Sequence, residues 1–300
     1  MLNRYNKKGV LIVKEIRAMM IGAHPDDNDF RCGGLALKYA RAGHKVKFLS
    51  LCNGDGGHQT MGPEEIRVRR RKESLAVAEF AGIEYDVWED SHDCELMATL
   101  ENRARLVREI REFNPDIIFT CRPNDYHADH RNTAILVQDA SYLLTVPNYC
   151  PEVKAMRDMP VILYVYDRFK NPSFEGDIMV DIDDVIDDKF KMFDLHESQV
   201  YEWLPYTVFD HEDVPEGAEA RLEWLHGPRV PRDGSPIDFE AIKKAKQAGQ
   251  SEYRQAEPAL MFRESLIKRY GKERGSKVVF AEAYSVCEYG NPMNDELIPF

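Results

Sequence analysis

The sequence predicts an α/β fold of the Rossmann-like three-layer kind, with a mostly parallel sheet between two layers of helices and elaborations towards the C-terminus. Short apolar runs alternate with longer helix-like runs from residue 18 to residue 203, which is typical of βαβ units. Polar motifs follow two of the apolar runs at the point where each run ends. A chain of 300 residues is also long enough to bury the core that such a sheet requires.

Each predicted strand is a short apolar run, and the predicted helices carry charged residues beside an apolar stripe. The strands are expected at residues 18–23, 45–51, 85–88, 116–120, 161–166, 177–182 and 277–286. The helices are expected at residues 30–42, 64–81, 102–113, 131–144, 184–203 and 258–274. Gly43 and Gly82 follow the first two helices directly, where glycine readily takes the left-handed conformation that ends a helix.

Composition excludes several classes of protein. The net charge of −12 argues against a nucleic-acid-binding face and against attraction to an anionic membrane surface. No run approaches the roughly eighteen uncharged apolar residues that a membrane span needs. The six cysteines are scattered without a CxxC pair, which disfavours a thiolate zinc site and favours a reduced compartment. Because residues 1–17 do not form a signal peptide, a cytoplasmic location is expected.

The domain organisation is expected to be a single catalytic domain over residues 1–300. Residues 205–255 differ from the rest, since they are rich in Glu, Pro and Gly and have weak periodicity. We interpret this tract as an insertion or a lid, with a contact in a homo-oligomer as a further alternative.

The first polar motif is Ala23-His24-Pro25-Asp26-Asp27, at the end of the first predicted strand. Pro25 turns the chain sharply because its φ is fixed and it lacks an N–H donor. Two successive aspartates then point in different directions. One carboxylate can bind a cation with His24 while the other accepts a proton from water, as metal-assisted hydrolysis requires. The alternative is that Asp26 or Asp27 only caps the next helix.

The second polar motif is His127-Ala128-Asp129-His130, which follows the predicted strand at residues 116–120. Because sites form beyond the carboxyl ends of parallel strands, the two motifs are expected to meet. His127 and His130 are three residues apart at a strand-to-helix transition and can face one site. Asp129 can hydrogen-bond an imidazole and fix its tautomer. The alternative is a solvated polar loop.

Two histidines and one carboxylate form a three-ligand set that leaves positions open for water and substrate, as in catalytic zinc sites. The same donors also suit non-haem Fe(II). A second carboxylate beside the ligands favours hydrolysis over oxygen chemistry.

These motifs resemble the PIG-L/LmbE family of zinc-dependent N-acetylglucosaminyl deacetylases. The resemblance lies in AHPDD at residues 23–27, in Gly33-Gly34, and in DYHADHRNTA at residues 125–134. It spans roughly residues 18–199 and returns at FAEAY near the C-terminus. Two residues depart from the family's pattern, since Asn28 stands where a glutamate commonly follows AHPDD and Arg31 stands where a small residue is common. Contacts at the edge of the substrate are therefore expected to differ.

The resemblance implies a role for each candidate residue. The zinc ligands would be His24, Asp27 and His130. Asp26 would be the general base that activates water, and His127 would stabilise or protonate the tetrahedral intermediate, with Asp129 orienting it. Arg70 would contact substrate.

Some candidate residues have simpler interpretations. Arg70 lies on a charged helix, so a solvated side chain is its alternative. His196 is expected to be a buried, satisfied histidine, and His58 to lie in a turn-rich connector.

The resemblance predicts hydrolysis of an N-acetyl group from a glucosamine-type sugar or glycoconjugate, with zinc as cofactor. The alternatives are a metal-dependent amidase for a larger N-acyl substrate, a non-catalytic sugar- or nucleotide-binding Rossmann module, and an Fe(II) oxygenase. No GxGxxG follows the first strand, which weakens the binding module.

Overall fold

A computed structural model describes residues 15–208, 213–233 and 251–300. Within these residues the strands are β1 (Arg17–Gly22), β2 (Lys45–Ser50), β3 (Glu84–Val87), β4 (Ile117–Thr120), β5 (Val161–Val165), β6 (Ile178–Asp181) and β7 (Ala281–Val286). They form one sheet in the order β3-β2-β1-β4-β5-β7-β6. The five strands from β3 to β5 are parallel, and β7 runs antiparallel between β5 and β6. The predicted α/β fold with a mostly parallel sheet is confirmed.

The helices follow the predicted order with shifted boundaries. They are α1 (Asp27–Arg41), α2 (Pro63–Ala81), α3 (Leu100–Phe113), α4 (Ala128–Leu143), α5 (Ile186–Asp194), α6 (Leu204–Thr207), α7 (Ala218–His226), α8 (Glu252–Met261) and α9 (Arg263–Gly275). Gly82 ends α2 with a left-handed φ of 68°, as expected.

The helix predicted at residues 184–203 is not continuous. It consists of α5, a break, and a π-helical turn at Ser198–Trp203. The fully buried His196 lies at the break, with its Nε2 3.3 Å from Asp29 of α1. The helix predicted at residues 258–274 is likewise two helices, separated at Phe262, whose backbone is not helical (φ −115°, ψ 36°).

Two apolar layers cover the two faces of the sheet. In β1, Ala18 and Met20 join the core on one face, while Met19 and Ile21 join the core on the other. Successive side chains of a strand point to opposite faces of the sheet, which produces this alternation. Because both faces of β1 are buried, its sequence is a continuous apolar run. The strands β1 and β4, which precede the two polar motifs, are therefore packed on both faces in the middle of the sheet.

Helix α1 is anchored to the sheet at Gly34. The buried carboxylate of Glu282 accepts hydrogen bonds from the Gly34 and Leu35 amides, both at 2.8 Å. A Cβ at Gly34 would lie 2.8 Å from Cγ2 of Ile182, a β-branched side chain with little freedom to move. At Gly33 the closest atom would be 3.4 Å away, which is ordinary contact.

Gly34→Ala is therefore expected to lower the free energy of unfolding by about 1–3 kcal/mol, because overpacking displaces α1 or Ile182. Gly33→Ala is the matched control in the same helix, and it is expected to leave stability unchanged or raise it by up to about 1 kcal/mol. Denaturant unfolding of both variants measures the difference. Equal stabilities would contradict the proposed close approach.

Residues 213–233, within the tract predicted to be an insertion or lid, pack on α5. The His226 ring stacks on Phe190 with centroids 3.9 Å apart. The Val230 amide donates to Glu252 at 2.8 Å, which ties this segment to α8. We propose that residues 205–255 are an insertion anchored in a single domain; residues 209–212 and 234–250 lie outside the described residues. None of the described helices has the length and apolar character needed to cross a membrane.

Candidate active site

The two polar motifs meet at the carboxyl ends of β1 and β4, which are neighbours in the sheet. The ring centroids of His24 and His130 are 5.3 Å apart. The His127 ring lies 4.7 Å from that of His24 and 5.0 Å from that of His130. The imidazoles of both motifs therefore face one point, as the strand order predicts.

A set of metal-type donor atoms converges on Asp27. Its Oδ2 lies 3.4 Å from Nδ1 of His24 and 3.3 Å from Nε2 of His130. Donor atoms from these three residues lie within 4.8 Å of one another. The amides of Ala23 and His24 donate to the same Oδ2 at 3.1 and 2.8 Å, which fixes the carboxylate in place. These residues fit a divalent ion with open positions, the kind of set that zinc takes in catalytic sites.

The outer nitrogen of each of these imidazoles contacts a carboxylate. His24 Nε2 lies 3.1 Å from Asp129, and His130 Nδ1 lies 3.1 Å from Asp125. Partners of this kind fix the tautomer and ring orientation of metal-binding histidines. Asp125 was not singled out from the sequence, although it stands inside the DYHADH motif; Asp93, 4.0 Å from His24 Nε2, had no recognisable signal.

Asp129 is placed differently from the prediction that it orients His127. Its Oδ2 is 3.8 Å from His127 Nδ1 but 3.1 Å from His24 Nε2. The reason is that His127 caps α4, and its Nδ1 accepts the Asp129 amide at 3.2 Å. The Cys94 and Leu96 amides hold the fully buried Asp129 carboxylate beneath His24.

Two other groups of donors in the described residues could hold a metal, and both are less suited. The group His24, Cys52 and Asp93 depends on a thiol whose pKa burial raises far above its ordinary value. In the group with His127 and Asp129, backbone amides engage both oxygens of the Asp129 carboxylate, whereas the two amides on Asp27 share the single oxygen Oδ2. The set centred on Asp27 is therefore the best candidate.

Asp26 follows His24 and Pro25 beside this ligand set but is not one of its donors. Burial raises the pKa of Asp26, and the positive charge of Arg70, whose Nη2 lies 3.1 Å from Oδ1, only partly opposes that rise. Burial also lowers the pKa of His127, assisted by the charges of His24 and His130. These groups are suited to proton exchange near neutral pH.

Arg70 is buried rather than solvated. Its side chain is 3% exposed, and besides Asp26 it donates to the carbonyls of Pro25 and Gly54 at 3.3 and 3.4 Å. Gly54 has φ of 81°, and a Cβ there would lie 2.6 Å from Arg70 Cδ. Arg70 thus lines the cleft and also orients Asp26, while contact with substrate stays a prediction.

The cleft above these residues has a volume of about 530 Å³, enough for a sugar-sized ligand. Its walls include Phe30, Arg31, Tyr126, Gln199 and Trp203. The two other histidines considered from the sequence are not ligands of the Asp27 set. His58 contacts Glu202 at 2.7 Å. His196 is buried, as expected, with Nε2 3.3 Å from Asp29, but among the described residues neither of its ring nitrogens has a hydrogen-bond partner, so the expectation of a satisfied histidine is wrong.

Metal binding is expected to depend on pH. Burial lowers the pKa of His24, but its hydrogen bonds with Asp129 and Asp27 outweigh this and hold the pKa well above the ordinary value. For His130, burial lowers the pKa, but the charge of Asp27 together with hydrogen bonds to Asp125 and Asp27 outweighs it and raises the pKa to about 9. Both imidazoles therefore carry protons at neutral pH without metal, and a metal must displace them.

The apparent zinc affinity should consequently rise by up to about tenfold per pH unit for each displaced proton between about pH 6 and pH 8. Calorimetry in buffers of different ionisation enthalpy measures both the affinity and the protons released. His127→Ala removes a neighbouring imidazole that is outside the ligand set, so it should keep the same slope. An affinity independent of pH would contradict this ligand set.

Both polar motifs lie within the part of the chain that matches a known family. Residues 19–141 match the PIG-L family, described as GlcNAc-PI de-N-acetylase. A 4-oxalmesaconate hydratase from Pseudomonas putida is 25% identical over 198 residues, which are 63% of this chain and 76% of that protein.

Solved structures share the fold. N,N'-diacetylchitobiose deacetylase from Pyrococcus horikoshii has a TM-score of 0.61 and 21% identity, over 91% of this chain and 84% of its own. GalB, the 4-carboxy-2-hydroxymuconate hydratase from Pseudomonas putida KT2440, has a TM-score of 0.65 and 16% identity, over 93% of this chain and 99% of its own. Residues 19–141 are thus similar to the PIG-L family, and the chain has the fold of these solved structures.

Proposed function

We propose that this protein is a zinc-dependent hydrolase that removes an N-acetyl group from a glucosamine-type sugar or glycoconjugate. One observation carries the proposal: three metal-type donors converge on Asp27 while a separate carboxylate, Asp26, stands beside them. The match of residues 19–141 to the PIG-L family supports the same reaction. Ligands for the ion and a free base for water are the two components of metal-assisted hydrolysis.

The ligands would be His24, Asp27 and His130. A zinc ion held there would polarise the acetyl carbonyl and make a water molecule more acidic. Asp26 takes a proton from the water as its oxygen bonds to the acetyl carbon. When the carbon–nitrogen bond breaks, that proton passes to the amine, and acetate and a free amino sugar leave.

His127 is suited to stabilise the oxyanion. Its Nδ1 accepts the Asp129 amide, so a neutral ring carries its proton on Nε2, where it can be donated. Its lowered pKa keeps the ring neutral near pH 7. A donor of this kind is worth roughly 3–4 kcal/mol in other enzymes. Arg70 holds the Asp26 carboxylate in position.

The test is acetate release from a panel of N-acetylated sugars and glycoconjugates, with and without a chelator. Acetate release that chelation abolishes and zinc restores is the expected result. A matched series with longer N-acyl chains separates a deacetylase from an amidase for larger substrates. Absence of metal from the purified protein, together with no hydrolysis, would favour a binding module, and anaerobic metal analysis separates zinc from Fe(II).

A second candidate is hydration of a carbon–carbon double bond. The relative at 25% identity is named a hydratase, and hydration also requires an activated water and a proton donor. The two reactions differ in their products, because hydration breaks no amide bond. Loss of ultraviolet absorbance from an unsaturated carboxylate without acetate release would favour hydration.

A further inference from the structure

A second cavity, of about 290 Å³, adjoins the cleft above the candidate metal ligands. The two share Phe30, Arg31 and Tyr126 in their walls. The far wall of the second cavity comes from Arg168, in the segment after β5, and from Arg254, in the first turn of α8. Arg31 is four residues after the proposed ligand Asp27 in α1, about 6 Å along the helix axis.

Three of the four acidic side chains in this second cavity have cationic partners, and the fourth, Asp125, contacts the imidazole of His130. The pairs, with N···O distances, are Asp125 with His130 (3.1 Å), Asp167 with Arg122 (2.5 Å), Glu257 with Arg168 (2.5 Å) and Glu282 with Lys189 (2.7 Å). The wall therefore has no unpaired carboxylate, among the residues that the structure describes, that would neutralise a further arginine.

Among the described residues that line this cavity, two arginines have no acidic partner. Arg31 donates to the carbonyl of Tyr166 at 2.7 Å. The Arg254 side chain has no hydrogen bond or ion pair within residues 15–208, 213–233 and 251–300. Both residues are exposed at the cavity wall, and partial desolvation and the positive charges of Arg168 and Arg31 lower the pKa of Arg254. The positive charges of Arg31, Arg168 and Arg254 are therefore grouped in this cavity, and a bound anion would relieve their repulsion.

We propose that Arg31 and Arg254 bind an anionic group of the substrate, a carboxylate or a phosphate, while the metal site acts on another part of the same molecule. The proposal rests on the proposed function and narrows its substrate to an acidic molecule. Guanidinium groups bind oxyanions through paired hydrogen bonds, which a neutral sugar cannot replace. The net charge of the whole chain is −12, which makes a macromolecular polyanion an unsuitable ligand.

The experiment measures binding of three probes to the zinc-loaded protein by calorimetry at fixed ionic strength. Inorganic phosphate and succinate represent the two sources of negative charge, and succinamide is the uncharged counterpart. We expect phosphate or succinate to bind more tightly than succinamide. Arg254→Gln and Arg31→Gln should each weaken that binding about tenfold or more, and Arg254→Lys should restore part of it.

Arg157→Gln is the control, since that side chain is 97% exposed and lies outside both cavities. It should leave anion binding unchanged. Equal binding of all three probes, or anion binding unaffected by Arg254→Gln, would overturn the proposal. Probe binding does not require turnover. Failure of this site would therefore leave acetate release intact, whereas failure of the proposed function would abolish acetate release and leave anion binding.

Discussion

Replacing His130 with alanine is expected to remove both bound metal and activity. His130 supplies one of the three donors that converge near Asp27, so only His24 and Asp27 would remain. Losing a residue that merely supports a metal ligand typically costs about 10–100-fold in metal affinity. Losing a ligand itself should cost more than that, and acetate release should become undetectable.

Metal content after dialysis and acetate release together check this result. His44→Ala is the matched control, because His44 precedes β2, at the opposite edge of the sheet from the site, where its Nδ1 accepts the Ile16 amide. It should keep the metal and full activity. A His130→Ala protein with stoichiometric metal would mean that the ion is held elsewhere, for example by the group that includes Cys52 and Asp93.

Asp26→Asn is expected to abolish turnover while the metal stays bound. Asparagine keeps the shape of the side chain, and its amide oxygen can still accept from Arg70, 3.1 Å away in the native protein. It cannot take a proton from water, and a general base contributes about 10²–10⁴-fold to the rate. The kcat should therefore fall by about that factor.

The decisive measurement is metal content alongside kcat in the same preparation. Asp184→Asn is the control, because it makes the same substitution at a side chain that is 66% exposed and paired with Lys38. It should leave kcat and metal content unchanged. Loss of metal from Asp26→Asn with activity retained in metal excess would reverse the roles assigned to Asp26 and Asp27.

Much of the architecture was predictable because parallel strands buried on both faces are apolar throughout. The predicted strands lie within one or two residues of the observed ones from β1 to β6. The C-terminal strand was less well predicted: β7 begins at Ala281 rather than at residue 277 and lies antiparallel between β5 and β6. Its position depends on pairing between residues far apart in the chain, which no local pattern encodes.

The candidate site was predictable in part for a related reason. Both polar motifs follow parallel strands, so their position at one edge of the sheet follows from the sequence. The nearness of His24 to His130 also depends on β1 and β4 being neighbours in the sheet. The partner of Asp129 did not follow, because it depends on how α4 turns its first residues beneath His24. The burial of Arg70 could not be predicted either. The sequence of a charged helix does not indicate that one of its arginines packs against Gly54, where a Cβ would leave no room for the Arg70 side chain.

The sequence by itself determined the strands and helices, the mostly parallel sheet and the residues of a candidate metal centre, because each depends on short stretches of chain. Only the tertiary structure decided which imidazole nitrogen faces Asp27 and which faces Asp125 or Asp129. It also brought Arg31, Arg168 and Arg254 to one cavity from three distant segments. Such neighbours are set by the packing and rotation of whole elements, which depend on the entire core rather than on the residues beside each arginine.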